Sequence, residues 1–398
     1  MSLALFTLGS AAWLSAAGGS TSRSAASQVA IPGLSRLAFG TYAFAGQPTL
    51  PRYSYVLLSP SDPDFVDPIK RESPKTKVLA FESASEVMNY DCNCPISYEA
   101  ARTHDKAHPS DPWLLYSKSG QTLTMPHYDL NHLANVGSTS YRQQWLAGML
   151  KILKTYHWDG VYIDSVLGRI SDTKTNPSLY KSDDAWEKAM RNWVAYIGPR
   201  LKAQGYYVLI NTYKSGPNDG TADIAWWASL APYVSGLQSE YWEQAADAKT
   251  PFTTNPCCWT GHWLNWLKLA DAAQRHNADF FTANKGTGTD TKLMSYLRGS
   301  YLLVWNGKGG GFSYSHEPID KVDPWNPAWA TYIGKPTGAR YQVGRAWRRN
   351  YSGGTVIVNP DWAKSQTVKL GGSYRTIDGR TVKSITVKPA SAAILSKP

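Results

Sequence analysis

From residue 37 onward the chain alternates short runs rich in β-branched and aromatic residues with longer stretches of helical period. No other feature limits the fold as much, because such alternation predicts βα units around a parallel sheet. The candidate strands are Leu37–Phe44, Tyr53–Leu58, Lys77–Glu82, Gly160–Val166, Tyr206–Tyr213, Val234–Tyr241, Asp279–Asn284 and Tyr301–Trp305. Eight parallel strands close a barrel without edges. The expected fold class is therefore α/β, a (β/α)8 TIM barrel. At 398 residues the chain has room for a barrel of roughly 250 residues and a small appended domain.

The helical stretches carry their own signals. After Ser138, a candidate N-cap, Trp145, Leu146, Met149, Leu150 and Leu153 recur at helical spacing. Trp263, Trp266, Leu267, Ala270 and Ala273 do the same after Gly261, and a helix near Asp184–Ala203 ends at Gly205. The segment from Asn89 to Asn135 is too long for a simple βα loop. With a predicted hairpin at Lys118-Ser119-Gly120, it is expected to build a cleft at the top of the barrel. Beyond residue 339 the helical period gives way to short runs punctuated by Gly353-Gly354, Gly371-Gly372 and Asp378-Gly379, which predicts a small antiparallel β-sandwich. The expected division is a leader at 1–30, the barrel at 31–338 and the sandwich at 339–398. The leader has an apolar Leu3–Ala17 run ending in Ser15-Ala16-Ala17, like an export signal without a basic start. An extracytoplasmic location is expected, with no membrane span, since no apolar run is long enough.

The cysteines form two close pairs, Cys92/Cys94 and Cys257/Cys258. In an exported chain an even count favours disulfides. Two bridges between the pairs, or one bridge with two free thiols, are both open. Neither spacing is the usual zinc C-x2–4-C. The net charge of +11 would suit a nucleic-acid partner. The basic residues are scattered, however, and the densest cluster, Arg345, Arg348 and Arg349, reads as solvated surface. The 17 Trp and 24 Tyr against 9 Phe mean flat apolar faces with polar handles, suited to sugar rings and equally to core neighbours.

The most informative peptide is His157-Trp-Asp-Gly-Val-Tyr-Ile-Asp164-Ser165. Strand alternation turns Val161 and Ile163 toward the outer helices and Gly160, Tyr162 and Asp164 toward the barrel axis. Asp164 stands at the carboxyl end, where barrel enzymes place their chemistry. In the sixth run the same parity turns Leu237 and Tyr241 outward, and Gln238 and Glu240 inward. Two inward carboxylates at the mouth are what glycosidic cleavage needs: one attacks or stabilises the anomeric carbon while the other protonates the leaving oxygen. A separation of roughly 5–5.5 Å indicates retention of configuration, and roughly 6.5–9.5 Å inversion. Each residue also has a structural reading, Asp164 as a helix cap or partner of Arg169 and Glu240 as a rim residue. Asp129, Tyr162, Asn211, Gln238, Trp242, Asn284 and Lys285 are candidates to hold sugar hydroxyls or rings. No H-E-x-x-H, G-x-G-x-x-G or P-loop is present, so neither metal nor cofactor is expected.

Three stretches carry a family resemblance: Trp158 through Asp164, Gly236 through Trp242, and Pro336–Gly344 running into Gly354–Pro360. With Leu370-Gly-Gly-Ser-Tyr374 and Asp378-Gly379, the chain resembles the hypothetical glycosyl hydrolase family fifteen over residues 37–398. That family is related to the α-amylase and α-galactosidase-like barrels. The resemblance implies a glycoside hydrolase acting on an oligo- or polysaccharide, with Asp164 as nucleophile and Glu240 as general acid/base. It also places Asp-Val-Gly-Asn where this chain has Asn135-Val-Gly-Ser138, a departure at a substrate contact. A transglycosidase would use the same pair, and a non-catalytic carbohydrate-binding barrel is the competing class.

Overall fold

The computed structural model describes residues 37–39, 53–214, 221–244, 249–254, 262–286, 290–315, 331 and 333–398. Its main sheet is parallel throughout and curls into a nearly closed barrel. The strand order is β1 (Leu37–Phe39), β2 (Tyr55–Leu58), β3 (Lys77–Ser83), β7 (Gly160–Leu167), β8 (Tyr207–Tyr213), β9 (Gly236–Glu240), β10 (Asp279–Lys285) and β11 (Gly311–Ser315). Strands β4 (Glu86–Met88), β5 (Thr124–Met125) and β6 (Tyr128–Leu133) form a separate antiparallel sheet inside the long insertion. That insertion also carries α2 (Tyr98–Ala107), and it starts at Glu86, three residues before the predicted Asn89. The predicted turn is present, with Tyr116 bridged to Thr122 and Gly120 at φ +80°.

Around the sheet stand α1 (Val66–Glu72), α3 (Thr139–Thr155), α4 (Asp183–Ala203), α5 (Thr221–Leu230), α6 (His262–Arg275) and α7 (Thr291–Val304). Ser138 caps α3, its hydroxyl accepting from the Tyr141 N–H. One sequence expectation fails here: Tyr301–Val304 is the last turn of α7, and the eighth run of sheet is Gly311–Ser315. A short apolar stretch does not distinguish a strand from a buried helix. Helix α7 is buried on all sides from Leu293 to Val304, so it has no polar face to reveal its period.

The barrel strands separate two apolar layers as alternation requires. Val161, Ile163, Val166 and Leu237 join the outer core with the helices, while Tyr162 packs inside with Tyr55, Leu57, Leu79, Leu209 and Phe281. Gly160 has a steric reason to be glycine, since a Cβ there would lie 2.0 Å from the Tyr207 carbonyl oxygen. The tryptophan excess goes largely to the helix–sheet interface. Trp145, Trp186, Trp226, Trp227, Trp242 and Trp263 are all buried. Indole N–H groups from α3, α4 and α5 donate to the Ser83, Leu167 and Thr212 carbonyls, at the carboxyl ends of β3, β7 and β8. Strand-end carbonyls that the ladder leaves over thus find donors, and the mouth of the barrel is fastened to its helices.

The C-terminal region is one antiparallel sheet, β12 (Tyr341–Val343), β13 (Ala346–Tyr351), β14 (Gly354–Asn359), β17 (Ser391–Ser396), β15 (Gln366–Arg375) and β16 (Thr381–Val387), in that order. Ala346, Ile357, Val368, Leu370, Val387 and Leu395 form a small core of its own, whereas Val356, Val358 and Ile394 join the main core. Two members of the basic cluster are not solvated surface: Arg348 lies within this sheet and Arg349 at its junction with the barrel. Arg348 is buried and donates to the Thr355 hydroxyl and the Leu370 carbonyl. Arg349 donates to the Leu303 and Trp305 carbonyls at 2.9 and 2.7 Å, capping α7 with a cation where the helix dipole favours one. Among the described residues no helix is long and apolar enough to cross a membrane.

Candidate active site

Strand β7 delivers Asp164 to the barrel mouth, where it is 6% exposed. Its Oδ1 accepts a 2.9 Å hydrogen bond from Asn211 Nδ2 on the neighbouring strand β8. Burial, and then the charge of Glu86, raise its pKa to about 6, with the Asn211 bond working against them. Glu240 ends β9. Burial first and the Asp164 charge second raise it to about 8, while Lys285 pulls the other way. The two carboxylates therefore feel each other. Both are pushed above the ordinary carboxylate range, Glu240 the further of the two, and a carboxyl that holds its proton more tightly than its neighbour is what paired acid/base chemistry uses.

Below them lies a polar floor. Gln238 Nε2 donates to the Tyr162 hydroxyl at 2.7 Å, and both side chains are fully buried. Both carboxylates act on that hydroxyl, whose pKa stands well above its ordinary value, chiefly through burial. Lys285 is 3% exposed, and its ammonium sits 4.8 Å from the Tyr241 ring centroid. Asp164, Glu240, Asn211, Tyr162, Gln238 and Lys285 are thus brought together as the sequence predicts.

Other candidates fall elsewhere. Trp242 is fully buried against Phe280, and its indole N–H donates to the Trp266 carbonyl of α6, so it belongs to the outer core and not to the mouth. The cause is the turn after β9. Tyr241 and Glu243 have φ of +49° and +59°, so strand parity stops at Glu240, and Tyr241 lies by Lys285 instead of facing the helices. Asn284 is tied to the same turn through its Nδ2, which donates to the Trp242 carbonyl and to Gln244 Oε1, the latter also accepting from the Lys285 N–H, while its buried Oδ1 has no hydrogen-bond partner among the described residues. Asp129 is exposed on β6, two residues before Asn131. Asn135 and Ser138 are both structural. Asn135 Oδ1 accepts from the Tyr180 hydroxyl and the Gly137 N–H, and Ser138 is the α3 cap. Cys92 and Cys94 are bridged to each other, and Cys257 and Cys258 lie outside the described residues.

Two members of the site escape sequence reasoning. Glu86, 3% exposed, accepts from the Ser83 and Ser165 hydroxyls and from Asn131 Nδ2. Burial raises its pKa against those three donors. Its only sequence signal is a carboxylate set among the apolar neighbours Ala84, Val87 and Met88 just past a barrel strand. Tyr213 closes β8, and its buried hydroxyl has no hydrogen-bond partner. Burial, then Asp172, Glu240, Asp164 and Glu86, raise its pKa. An orphan donor facing the carboxylates is a ready contact for a substrate oxygen.

A βα barrel whose mouth brings the carboxylates of Asp164 and Glu240 within electrostatic reach of each other has the architecture of a glycosidase. The chain belongs to the hypothetical glycosyl hydrolase family 15, which it matches over residues 70–355, and it is a glycoside hydrolase. No curated protein matches its sequence. Among solved structures it is similar to the noncanonic maltogenic α-amylase AmyB from Thermotoga neapolitana, at 10% identity over 92% of this chain and 99% of that one, with a TM-score of 0.52. It is also similar to the GH31 dextranase FjDex31A from Flavobacterium johnsoniae, at 9% identity over 92% of this chain and 52% of that one, with a TM-score of 0.51. The glycoside hydrolase domain of PelA from Pseudomonas aeruginosa matches at 13% identity over 73% of this chain and 97% of that one, with a TM-score of 0.42. At these identities the likeness to AmyB and FjDex31A is one of fold.

Proposed function

We propose that the chain is a retaining glycoside hydrolase of an extracytoplasmic oligo- or polysaccharide, with Asp164 as nucleophile and Glu240 as general acid/base. In this reading the parallel sheet closes as a (β/α)8 barrel over residues 31–338, residues 339–398 form a sandwich-like brace, and residues 1–30 are a leader for export. The observation that carries it is the pair itself: two inward carboxylates with pKa values of about 6 and about 8.

In the first step the Asp164 carboxylate attacks the anomeric carbon. The bond to the leaving oxygen breaks as Glu240 gives up its proton to that oxygen. In the second step a water attacks the anomeric carbon and loses its proton to Glu240, and the bond to Asp164 breaks. Asn211 holds Asp164 through Oδ1, and the Ser165 backbone N–H also donates to the carboxylate, so the nucleophile is oriented from two sides. Lys285 tempers the proton affinity of Glu240, keeping it within reach of both halves of the cycle. The test is a screen of α- and β-aryl glycosides and common polysaccharides with wild type, Asp164→Asn and Glu240→Gln. Each variant is expected to lose about 10³-fold or more in kcat on whatever the wild type cleaves. If both variants turned over at the wild-type rate, the pair would not be the catalytic one.

A further inference from the structure

The backbone that carries Asp164 is held in a conformation that the barrel alone does not supply. Ser165 has φ of +55°, in the left-handed region that favours glycine. The β7–β8 register slips between Ile163 and Val166, so Asp164 and Ser165 form a bulge. Bulges re-aim side chains near active sites.

Three contacts from the corner between β3 and β4 hold the bulge. The Ala84 N–H donates to the Asp164 carbonyl at 3.0 Å. The Ser85 hydroxyl donates to the Ser165 carbonyl at 2.9 Å. The Ser165 hydroxyl donates to Glu86 Oε1 at 2.5 Å. Glu86 is itself immobilised by the Ser83 hydroxyl at 3.2 Å and by Asn131 Nδ2 of β6 at 2.7 Å. A buried carboxylate is costly compared with an apolar residue of like size, so packing alone does not explain it. Similarly, a position whose backbone suits glycine holds a serine, and that serine's hydroxyl is directed to Glu86.

We propose that Glu86 is a positioning residue for hydrolysis: through the Ser165 hydroxyl it fixes the left-handed bulge that aims the Asp164 carboxylate into the barrel mouth. The inference rests on the role assigned to Asp164 above. The insertion is then part of the catalytic apparatus, because β4 and β6 set the aim of a residue on β7. The titratable groups facing Glu86 are Glu82 on β3, Tyr90 after β4, Tyr141 on α3, Asp164 on β7 and Tyr213 on β8. All are acids, so any charge on Glu86 acts on Asp164 with no cation among them to offset it.

The test uses Ser165→Gly and Glu86→Gln in the full chain, read by steady-state kinetics and by ¹³C-carboxyl NMR titration of Asp164. Ser165→Gly removes the hydroxyl while easing the backbone, so it folds even if Glu86→Gln does not. Both variants are expected to keep KM within about twofold and to lose about 10- to 100-fold in kcat. The Asp164 midpoint is expected to fall by about half a unit or more in Glu86→Gln, where a negative neighbour is gone. In Ser165→Gly it rises, as the carboxylate slackens away from Asn211. Wild-type kcat in Ser165→Gly together with an unmoved Asp164 midpoint overturns the proposal. If the wild type cleaves no glycan, the hydrolase mechanism falls separately. The NMR midpoints then decide the clamp alone, shifts in both variants supporting it and fixed midpoints overturning it.

Discussion

Replacing Asn211 with alanine removes a side-chain donor to the Asp164 carboxylate, the 2.9 Å bond to Oδ1. A hydrogen bond to a charged acceptor contributes about 1.5–3 kcal/mol. At about 1.4 kcal/mol per pKa unit, its loss raises Asp164 by about 1–2 units. Asp164 starts at about 6 and Glu240 at about 8, so the variant brings the two together. In the proposed mechanism activity requires Asp164 ionised and Glu240 protonated. In the wild type kcat/KM therefore drops as pH falls through about 6 and again as pH rises through about 8. The limbs belong to the interacting pair rather than to either residue alone. In Asn211→Ala the acid limb moves toward the alkaline one and the bell narrows. The ionised fraction of Asp164 is reduced about 5- to 50-fold at pH 6 but only about 2- to 10-fold at pH 7. The assay is kcat/KM from pH 4.5 to 9.5 on a cleaved aryl glycoside. A uniform loss at every pH, with the acid limb in place, refutes the reasoning and leaves Asn211 as a substrate contact only.

Trp242→Ala is expected to cost about 3–5 kcal/mol of stability, measured by urea unfolding, with KM unchanged within about twofold; a selective rise in KM would return Trp242 to the sugar site. Tyr213→Phe removes the orphan hydroxyl at the mouth, and its loss to substrate is expected to lower kcat/KM by about 10-fold without lowering the melting temperature; unchanged kinetics would show that the hydroxyl meets no substrate. Glu82 is buried and raised from 4.5 to about 8, chiefly by desolvation. The folded chain keeps a proton there that the unfolded chain releases, so this contribution is complete below about pH 4.5 and lost as pH rises through about 8. Glu82→Gln is expected to remove a loss on the order of 5 kcal/mol that accrues between about pH 4.5 and about pH 8, and parallel pH dependences of unfolding in the two proteins would rule this out.

The parts of the fold legible in the sequence are those where periodicity is unambiguous. Alternation in Gly160–Asp164 separates an outer face from an inner one, and the structure places Tyr162 in the barrel interior and Val161 and Ile163 under the helices. The same rule fails one residue past Glu240, because the positive φ at Tyr241 is a backbone decision that no side-chain pattern announces. Trp242 then looks like a sugar platform when it is core. The last strand was hidden for a different reason: a helix buried on every face has no amphipathic period, and Leu302-Leu303-Val304 by itself suits a strand equally. Glu86 and Tyr213 join the site through tertiary contact. Glu86 lies 78 positions from Asp164 along the chain, and its role becomes visible only when the corner after β3 meets the bulge in β7.

The central claim, that Asp164 is the nucleophile of a retaining glycosidase, is tested most directly by trapping the intermediate. A 2-deoxy-2-fluoro glycosyl fluoride of the sugar that the enzyme cleaves slows turnover of any covalent adduct, and digestion followed by mass spectrometry locates it. The account predicts one sugar attached to the peptide containing Asp164, absent from Asp164→Asn. Attachment at Glu240 or Glu86, or inverted product with no adduct on the protein, would contradict it.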